Sequence, residues 1–299
     1  MTGSQTVIIG ESLFVGGSNT DSREDDYVVF KYDPAEDAWT SLPPCIVKGF
    51  GMAEVGGKLI AVGGVGRWGI SNKVYEFDSK IQRWVESGPT MPTARFWLSV
   101  FASDAVIIAC GGATGFEEDR DPIPCTCVEV FLSEAVKWCS VDPLPLPCYN
   151  MSAVVIYGEL YLLGGLGASH MPTRPVLHAP IESLIEKATA KSSSTEVSPD
   201  SQEEVWNTFS EPPLRASAAV SLRGSLVAVA GYSQSTFSPK LYGFVDSTDS
   251  WVQVREDLPV SRFFCAAVEL PSKKILVIGG KDSMKKRTCT VFVGSVSRH

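Results

Sequence analysis

Three histidines and eight cysteines supply the imidazole and thiol ligands that a copper or zinc centre would need. Their spacing argues against one. His170 and His178 stand eight residues apart across an expected loop and strand, and His299 is terminal, a poor ligand set. Cys125 and Cys127 would face one side of an extended strand, but no second pair is spaced to complete a tetrahedral site. No metal and no cofactor are expected. The sequence carries no nucleophile elbow, kinase signature or phosphate-cradling loop. Paired carboxylates perform acid–base chemistry on sugars, but nothing in the sequence selects a pair. Arginines beside aromatic rings stand out instead: Arg67 with Trp68, Arg95 with Phe96, Arg262 with Phe263, and Arg215, Tyr149 and Tyr232 at related positions. Arginine and aromatic residues are the side chains of interaction hot spots. The expected chemistry is recognition rather than turnover.

A chain of 299 residues with 44% hydrophobic and 20% charged residues is able to bury a large core. Its formal charge of −8 argues against nucleic acid, whose backbone requires a basic surface. No apolar run has the length of a membrane span. The first residues, Met1 to Gln5, do not read as a signal peptide. The eight cysteines are then expected as reduced thiols in the cytoplasm, several of them small buried side chains.

The elements that must position these residues come from a repeat. Apolar strands end in glycine doublets at Gly16-Gly17, Gly63-Gly64, Gly111-Gly112, Gly164-Gly165 and Gly279-Gly280, with Ala230-Gly231 as a degenerate copy. Successive intervals are 47, 48, 53, 66 and 49 residues. A period near fifty with four strands per unit is that of a propeller. The second unit is the clearest: a strand over Gly51–Val55, a Gly56-Gly57 turn, a strand over Lys58–Val62, a third over Val74–Asp78 and a fourth opening at Arg83. Trp39, Trp84, Trp138, Trp206 and Trp251 recur in the fourth strand, where a large flat ring fills the space between neighbouring sheets.

The doublets, the aromatic third strands ending near an acid (Tyr32-Asp33, Phe77-Asp78) and the spaced tryptophans resemble kelch repeats over nearly the whole chain. The expectation is a single all-β domain, a six-bladed kelch-type β-propeller of four-stranded antiparallel blades. The blades run approximately over 1–47, 48–94, 95–148, 149–214, 215–261 and 262–299. The last is expected one strand short, with sheet packing closing the ring.

Strand parity places the loops between second and third strands on the same face as the links into each first strand. That face carries Arg67, Trp68, Arg95, Phe96, Tyr149, Arg215, Tyr232 and Arg262, the expected partner-binding residues. The resemblance implies a protein or peptide ligand there, with Arg67, Arg95, Arg215 and Arg262 gripping a carboxylate or phosphate through paired donors. A structural role for the recurring arginines stays open as the alternative: bonds to backbone carbonyls between blades. Acidic loops at 24–26 and 117–119 and a basic patch at 285–287 share the face. The resemblance implies a non-enzymatic interaction module, an adaptor or substrate-recognition subunit, with ubiquitin transfer among its roles. A kelch-type enzyme acting on a sugar in the axial pocket and a cytoskeletal scaffold are the alternatives. The repeat starts close to Met1, so a ligase link would have to come from another subunit. Oligomeric state is left open, with a monomer as the working expectation.

The fourth unit is stretched, with 41 residues between its doublet and Trp206 against 20 in the second unit. The extra segment, 181–204, holds six carboxylates and two lysines and is expected as a disordered acidic loop. A short helical turn over 181–190 is the alternative for its first part.

Overall fold

The computed structural model describes residues 5–18, 27–103, 106–171, 176–193, 204–233, 236–254, 257–270, 272–282 and 291–294. Five four-stranded antiparallel sheets and one of three strands follow one another along these residues. The first comprises β1 (Gln5–Ile9), β2 (Ser12–Ser18), β3 (Tyr27–Asp33) and β4 (Ala38–Ser41). After the short β5 (Val47–Lys48) come β6 (Gly51–Val55) and β7 (Lys58–Val62), the small hairpin β8 (Val65–Gly66) and β9 (Gly69–Ile70), then β10 (Val74–Asp78) and β11 (Arg83–Glu86). The third sheet contains β12 (Ser99–Ser103) and β13 (Val106–Cys110), a hairpin of β14 (Ala113–Phe116) and β15 (Pro122–Pro124), then β16 (Val128–Leu132) and β17 (Lys137–Ser140). The fourth contains β18 (Ser152–Ile156), β19 (Glu159–Leu163), β20 (Val176–Pro180), helix α1 (Ile181–Ser192) and β21 (Asn207–Phe209). The fifth is β22 (Ala218–Leu222), β23 (Ser225–Ser233), β24 (Thr236–Val245) and β25 (Ser250–Gln253). The sixth is β26 (Ala266–Glu269), β27 (Ile275–Ile278) and β28 (Val291–Gly294).

The first strands touch in cyclic order: β1 meets β6, β6 meets β12, β12 meets β18, β18 meets β22, β22 meets β26, and β26 returns to β1. The sheets therefore stand around an axis. The buried apolar residues fall at the seams between consecutive sheets. The seam that closes the ring packs Leu13 and Val15 of β2 against Leu276 and Ile278 of β27. Burying both faces of each sheet against its neighbours is what a repeat of this kind requires for stability.

Two sequence signals have visible mechanical causes. The indole N–H groups donate backward across the seams: Trp84 to the Pro43 carbonyl at 2.9 Å, Trp138 to Pro89 at 3.0 Å, Trp206 to Asp142 at 3.1 Å and Trp251 to Ser210 at 2.9 Å. Each ring buries apolar area while pinning the sheet before it. The doublets answer to close backbone approach. A Cβ on Gly63 would lie 2.5 Å from the Arg95 carbonyl oxygen of the following link, and one on Gly111 would lie 2.4 Å from that of Cys148. The second glycine closes the same contact, with Gly64 N–H donating to the Arg95 carbonyl at 2.8 Å.

The stretched fourth unit corrects one expectation. Residues 181–192 form α1, twelve residues long, in place of the start of a disordered loop. Leu184 and Ala188 are buried, and the helix packs on β16 and β17 of the preceding sheet. Lys187 pairs with Asp142, and Lys191 Nζ donates to the Ser140 carbonyl at 2.9 Å. The lysines that entered the sequence reading only as charge are therefore the ties that dock the helix. Residues 194–203 lie outside the described residues, as do Asn19, the acidic run 24–26, Gln234, the basic run 285–287, Cys289 and His299.

Candidate functional site

Isolated antiparallel bridges fix the face geometry. Phe96 bridges Ala113, Tyr149 bridges Leu166, Arg215 bridges Tyr232, and Phe263 bridges Lys281. In the second sheet β5 pairs with β8 in the same sense. Each incoming link thus runs beside the residue that follows its own sheet's doublet. The links and the loops after the second strands lie together on one face.

The candidate residues divide on that face. Arg67 and Trp68 form the tip of the β8–β9 hairpin, a two-residue connection closed by the Gly66–Gly69 pair. Trp68 is 86% exposed, and the Arg67 guanidinium lies 4.2 Å from its ring centroid. Arg215 is half-buried, with Nε 3.9 Å from Glu211 Oε1. Tyr232 is half-buried and meets Phe237 edge-on at 5.7 Å.

The other four are interior residues, which corrects their assignment to a binding surface. Arg95 is 0% exposed: Nη2 donates to the Ala109 carbonyl at 2.9 Å and stands 3.3 Å from Glu129 Oε2, itself buried. Arg262 is 1% exposed, donates through Nη1 to the Gly279 carbonyl at 2.6 Å and stacks on Phe292 at 4.3 Å. These arginines are pegs that bond backbone carbonyls, and the carbonyls belong to their own sheets rather than to a neighbour. Phe96 is buried in a ladder of rings: Phe116 stacks on it at 4.9 Å and Trp97 meets it edge-on at 4.8 Å. Tyr149 is buried as well, stacked on Trp97 at 5.5 Å. Its hydroxyl lies 2.6 Å from His170 Nδ1, and His170 Nε2 lies 3.0 Å from Asp121 Oδ1. Burial, with the Asp121 charge adding to it, pushes the Tyr149 phenol up to about 12. The three side chains tie the third sheet's hairpin to the fourth sheet's loop.

One further recurring position emerges from the backbone. The residue entering each link turn is left-handed in five units: Gly49 (φ 63°), Trp97 (54°), Asn150 (55°), Ala216 (51°) and Phe264 (54°). Backbone bonds join them around the axis, Trp97 N–H to Gly49 at 2.6 Å, Asn150 to Trp97 at 2.8 Å and Phe264 to Ala216 at 3.3 Å. Recurrence makes the conformation a property of the turn. For an aromatic residue it is uncommon and costs of order 1–3 kcal/mol. Gly49 and Asn150 are residue types that tolerate it, and they were the available signal. Asn150, Ala216 and Phe264 line the mouth of a cavity of about 100 Å3 on the axis.

A ring of antiparallel sheets with buried seams is a β-propeller, and a comparison with known structures agrees. The chain superposes on the solved structure described as "Structure of YjhT" with a TM-score of 0.75, covering 100% of this chain and 95% of that one at 13% identity. Residues 47–91 match the Kelch motif. Beta-scruin of Limulus polyphemus is 29% identical over 55% of this chain and 19% of that protein. Kelch-like protein 35 of Mus musculus is 24% identical over 87% of this chain and 40% of that protein. The chain is a β-propeller with a Kelch motif in its second unit. It spans less than half the length of either relative.

Proposed function

We propose that the chain is a non-enzymatic interaction module that binds a protein partner through the face carrying the β8–β9 hairpin, as an adaptor or substrate-recognition subunit. The observation that carries this is Trp68, an indole held out in solvent at the tip of a short paired hairpin with a guanidinium stacked on it. A rigid aromatic beside an arginine supplies contact area and donors with little conformational entropy left to lose. Arg215 and Tyr232 extend the surface on another sheet. Likeness to the kelch-like proteins supports a protein partner. The seven described cysteines are unpaired thiols, in keeping with residence in the cytoplasm.

The enzyme alternative would need acid–base groups on the axis. The residues lining the mouth cavity carry no charged side chain. At the opposite end Glu54 accepts from Gly57 N–H at 2.5 Å and Glu269 from Arg223 N–H at 3.3 Å, so both carboxylates are engaged locally. The test compares partners recovered from cytosol by the wild-type chain and by the triple variant Arg67→Glu, Trp68→Ala, Arg215→Glu. Loss of a specific partner by a variant with unchanged melting supports the reading. A folded variant that keeps every partner sinks it, and turnover of a sugar library by the purified chain would favour the enzyme.

A further inference from the structure

The axial cavity below the binding face has a chemistry of its own. Its polar wall is formed by Gln5, Thr6, Ser99, Asn150, Ser152 and Ser217, with Phe264 as an apolar side. Three of these side chains are spent on closing the ring. Gln5 Nε2 donates to the Leu98 carbonyl at 3.1 Å while its Oε1 accepts from Met52 N–H at 2.6 Å. Ser99 Oγ donates to the Met151 carbonyl at 2.7 Å, and Ser152 Oγ accepts from Ala219 N–H at 2.9 Å. Ser217 is 6% exposed and its Oγ has no hydrogen-bond partner. Asn150, half-buried at the rim, makes no side-chain hydrogen bond among the described residues. A buried hydroxyl without a partner is unusual enough to require an explanation.

We propose that this cavity receives an uncharged hydrogen-bonding group, the carboxamide or hydroxyl of a single side chain of the partner polypeptide, between Asn150 and Ser217. This deepens the interaction reading above and rests on it. The size fits: about 100 Å3 holds several waters or one short polar side chain. The charge decides against an acid. No cation lines the cavity, so a carboxylate entering it would exchange its hydration for a few neutral donors with no counter-charge. Arg95 and Arg262 are turned to backbone carbonyls and offer no compensation. The partner's amide or hydroxyl would satisfy Asn150 and Ser217 while Trp68 and Arg67 grip its flanks.

The test uses two isosteric probes, acetamide and acetate, followed by ligand-observed NMR on the full chain. Acetamide should give a saturable signal that weakens roughly tenfold in Ser217→Ala, the worth of about one hydrogen bond. Asn150→Gly, which keeps the left-handed backbone free of strain, should weaken it likewise. Acetate should give no saturable signal. Equal binding of acetate, an acetamide signal indifferent to both variants, or no saturable acetamide signal overturns the proposal. A positional-scanning peptide library on the immobilised chain supplies the second arm. Asn, Gln, Ser and Thr should be enriched over Asp and Glu at one position, and the preference should vanish in Ser217→Ala. Acid enrichment, or acetamide binding without any peptide preference, overturns the assignment to a partner side chain. Trp68→Ala separates the two readings: it should abolish partner capture and leave the acetamide signal unchanged. Loss of partner with no acetamide binding sinks the cavity alone, and acetamide binding with every partner kept sinks the hairpin alone.

Discussion

Replacing Arg95 is the sharpest test of how this propeller uses its recurring arginines. The side chain has no exposure, one hydrogen bond to the Ala109 carbonyl and an ion contact of 3.3 Å to Glu129. Arg95→Ala removes the stem's packing and leaves the buried Glu129 carboxylate without a counter-charge. Breaking a buried pair from one side costs about 3–5 kcal/mol. Unfolding entropy near 2.1 cal/mol/K per residue gives about 0.6 kcal/mol/K for 299 residues, so the melting temperature should fall by about 5–8 °C. Arg215→Ala, half-exposed and 3.9 Å from its carboxylate, should change it by less than about 2 °C. The double variant Arg95→Met, Glu129→Met should recover most of the loss. Arg95 Nε and Nη1 have no hydrogen-bond partner, so the pair is under-satisfied and an apolar replacement gives up little. Scanning calorimetry of the four proteins decides it. If Arg95→Ala melts with the wild type and instead loses its partner, the guanidinium belongs to the binding surface and the burial argument fails.

Leu184→Ala should destabilise by about 2–5 kcal/mol, because α1 buries this side chain against the third sheet, and limited proteolysis should then cut within 181–192 where the wild type resists. Trp206→Phe should cost about 1 kcal/mol through loss of the bond to the Asp142 carbonyl, read as a lower urea midpoint. Burial pushes the thiols of Cys45, Cys125 and Cys265 up to about 11 and that of Cys110 up to about 12, from 9. The folded state holds these protons more tightly than the unfolded chain. Their contribution to stability is therefore whole below pH 9 and is lost as the pH rises through 11 and 12. Under reducing conditions the urea midpoint should fall between neutral pH and pH about 10, and a midpoint that rises would contradict the assignment.

Much of the ring was legible because its signals are mechanical. A glycine doublet is demanded wherever a carbonyl oxygen would meet a Cβ at 2.4–2.5 Å, as at Gly111 and Gly63, and few other residues meet that demand. Four of the five spaced tryptophans were equally readable, since their seams ask for a wide apolar ring with one donor, whereas Trp39 is 40% exposed and packs on Tyr32 of its own sheet. The strands of the second unit appear where alternation and turn residues placed them. What could not be read was depth. Arg95 and Arg215 look equivalent in the repeat, but Arg215 bridges Tyr232 as Phe96 bridges Ala113, one position later, so one arginine is sealed within the ring and the other is half in water. Burial at those points depends on the neighbouring loops: the β14–β15 hairpin lays Phe116 over Phe96. Composition likewise misjudged 181–192. Averaging charge over the segment conceals that Leu184 and Ala188 fall four residues apart on one face of a helix.

The same division explains how a repeat this regular becomes specific. Features that recur from unit to unit, the doublets, the indole donors and the left-handed conformation of the links, are spent on holding neighbouring sheets together. They have little freedom to vary without loosening a seam. Recognition must then come from what does not recur. The Arg67-Trp68 tip exists because the second unit inserts a short hairpin, β23 and β24 extend Tyr232 and Phe237 beyond the fifth sheet, and the link position reads glycine, tryptophan, asparagine, alanine and phenylalanine in turn. A residue that repeats in register is in this fold a candidate for structure first. The odd residue at a repeated position is the better guide to the partner, which is why Trp68 and Asn150 carry the functional argument and Arg95 and Arg262 do not.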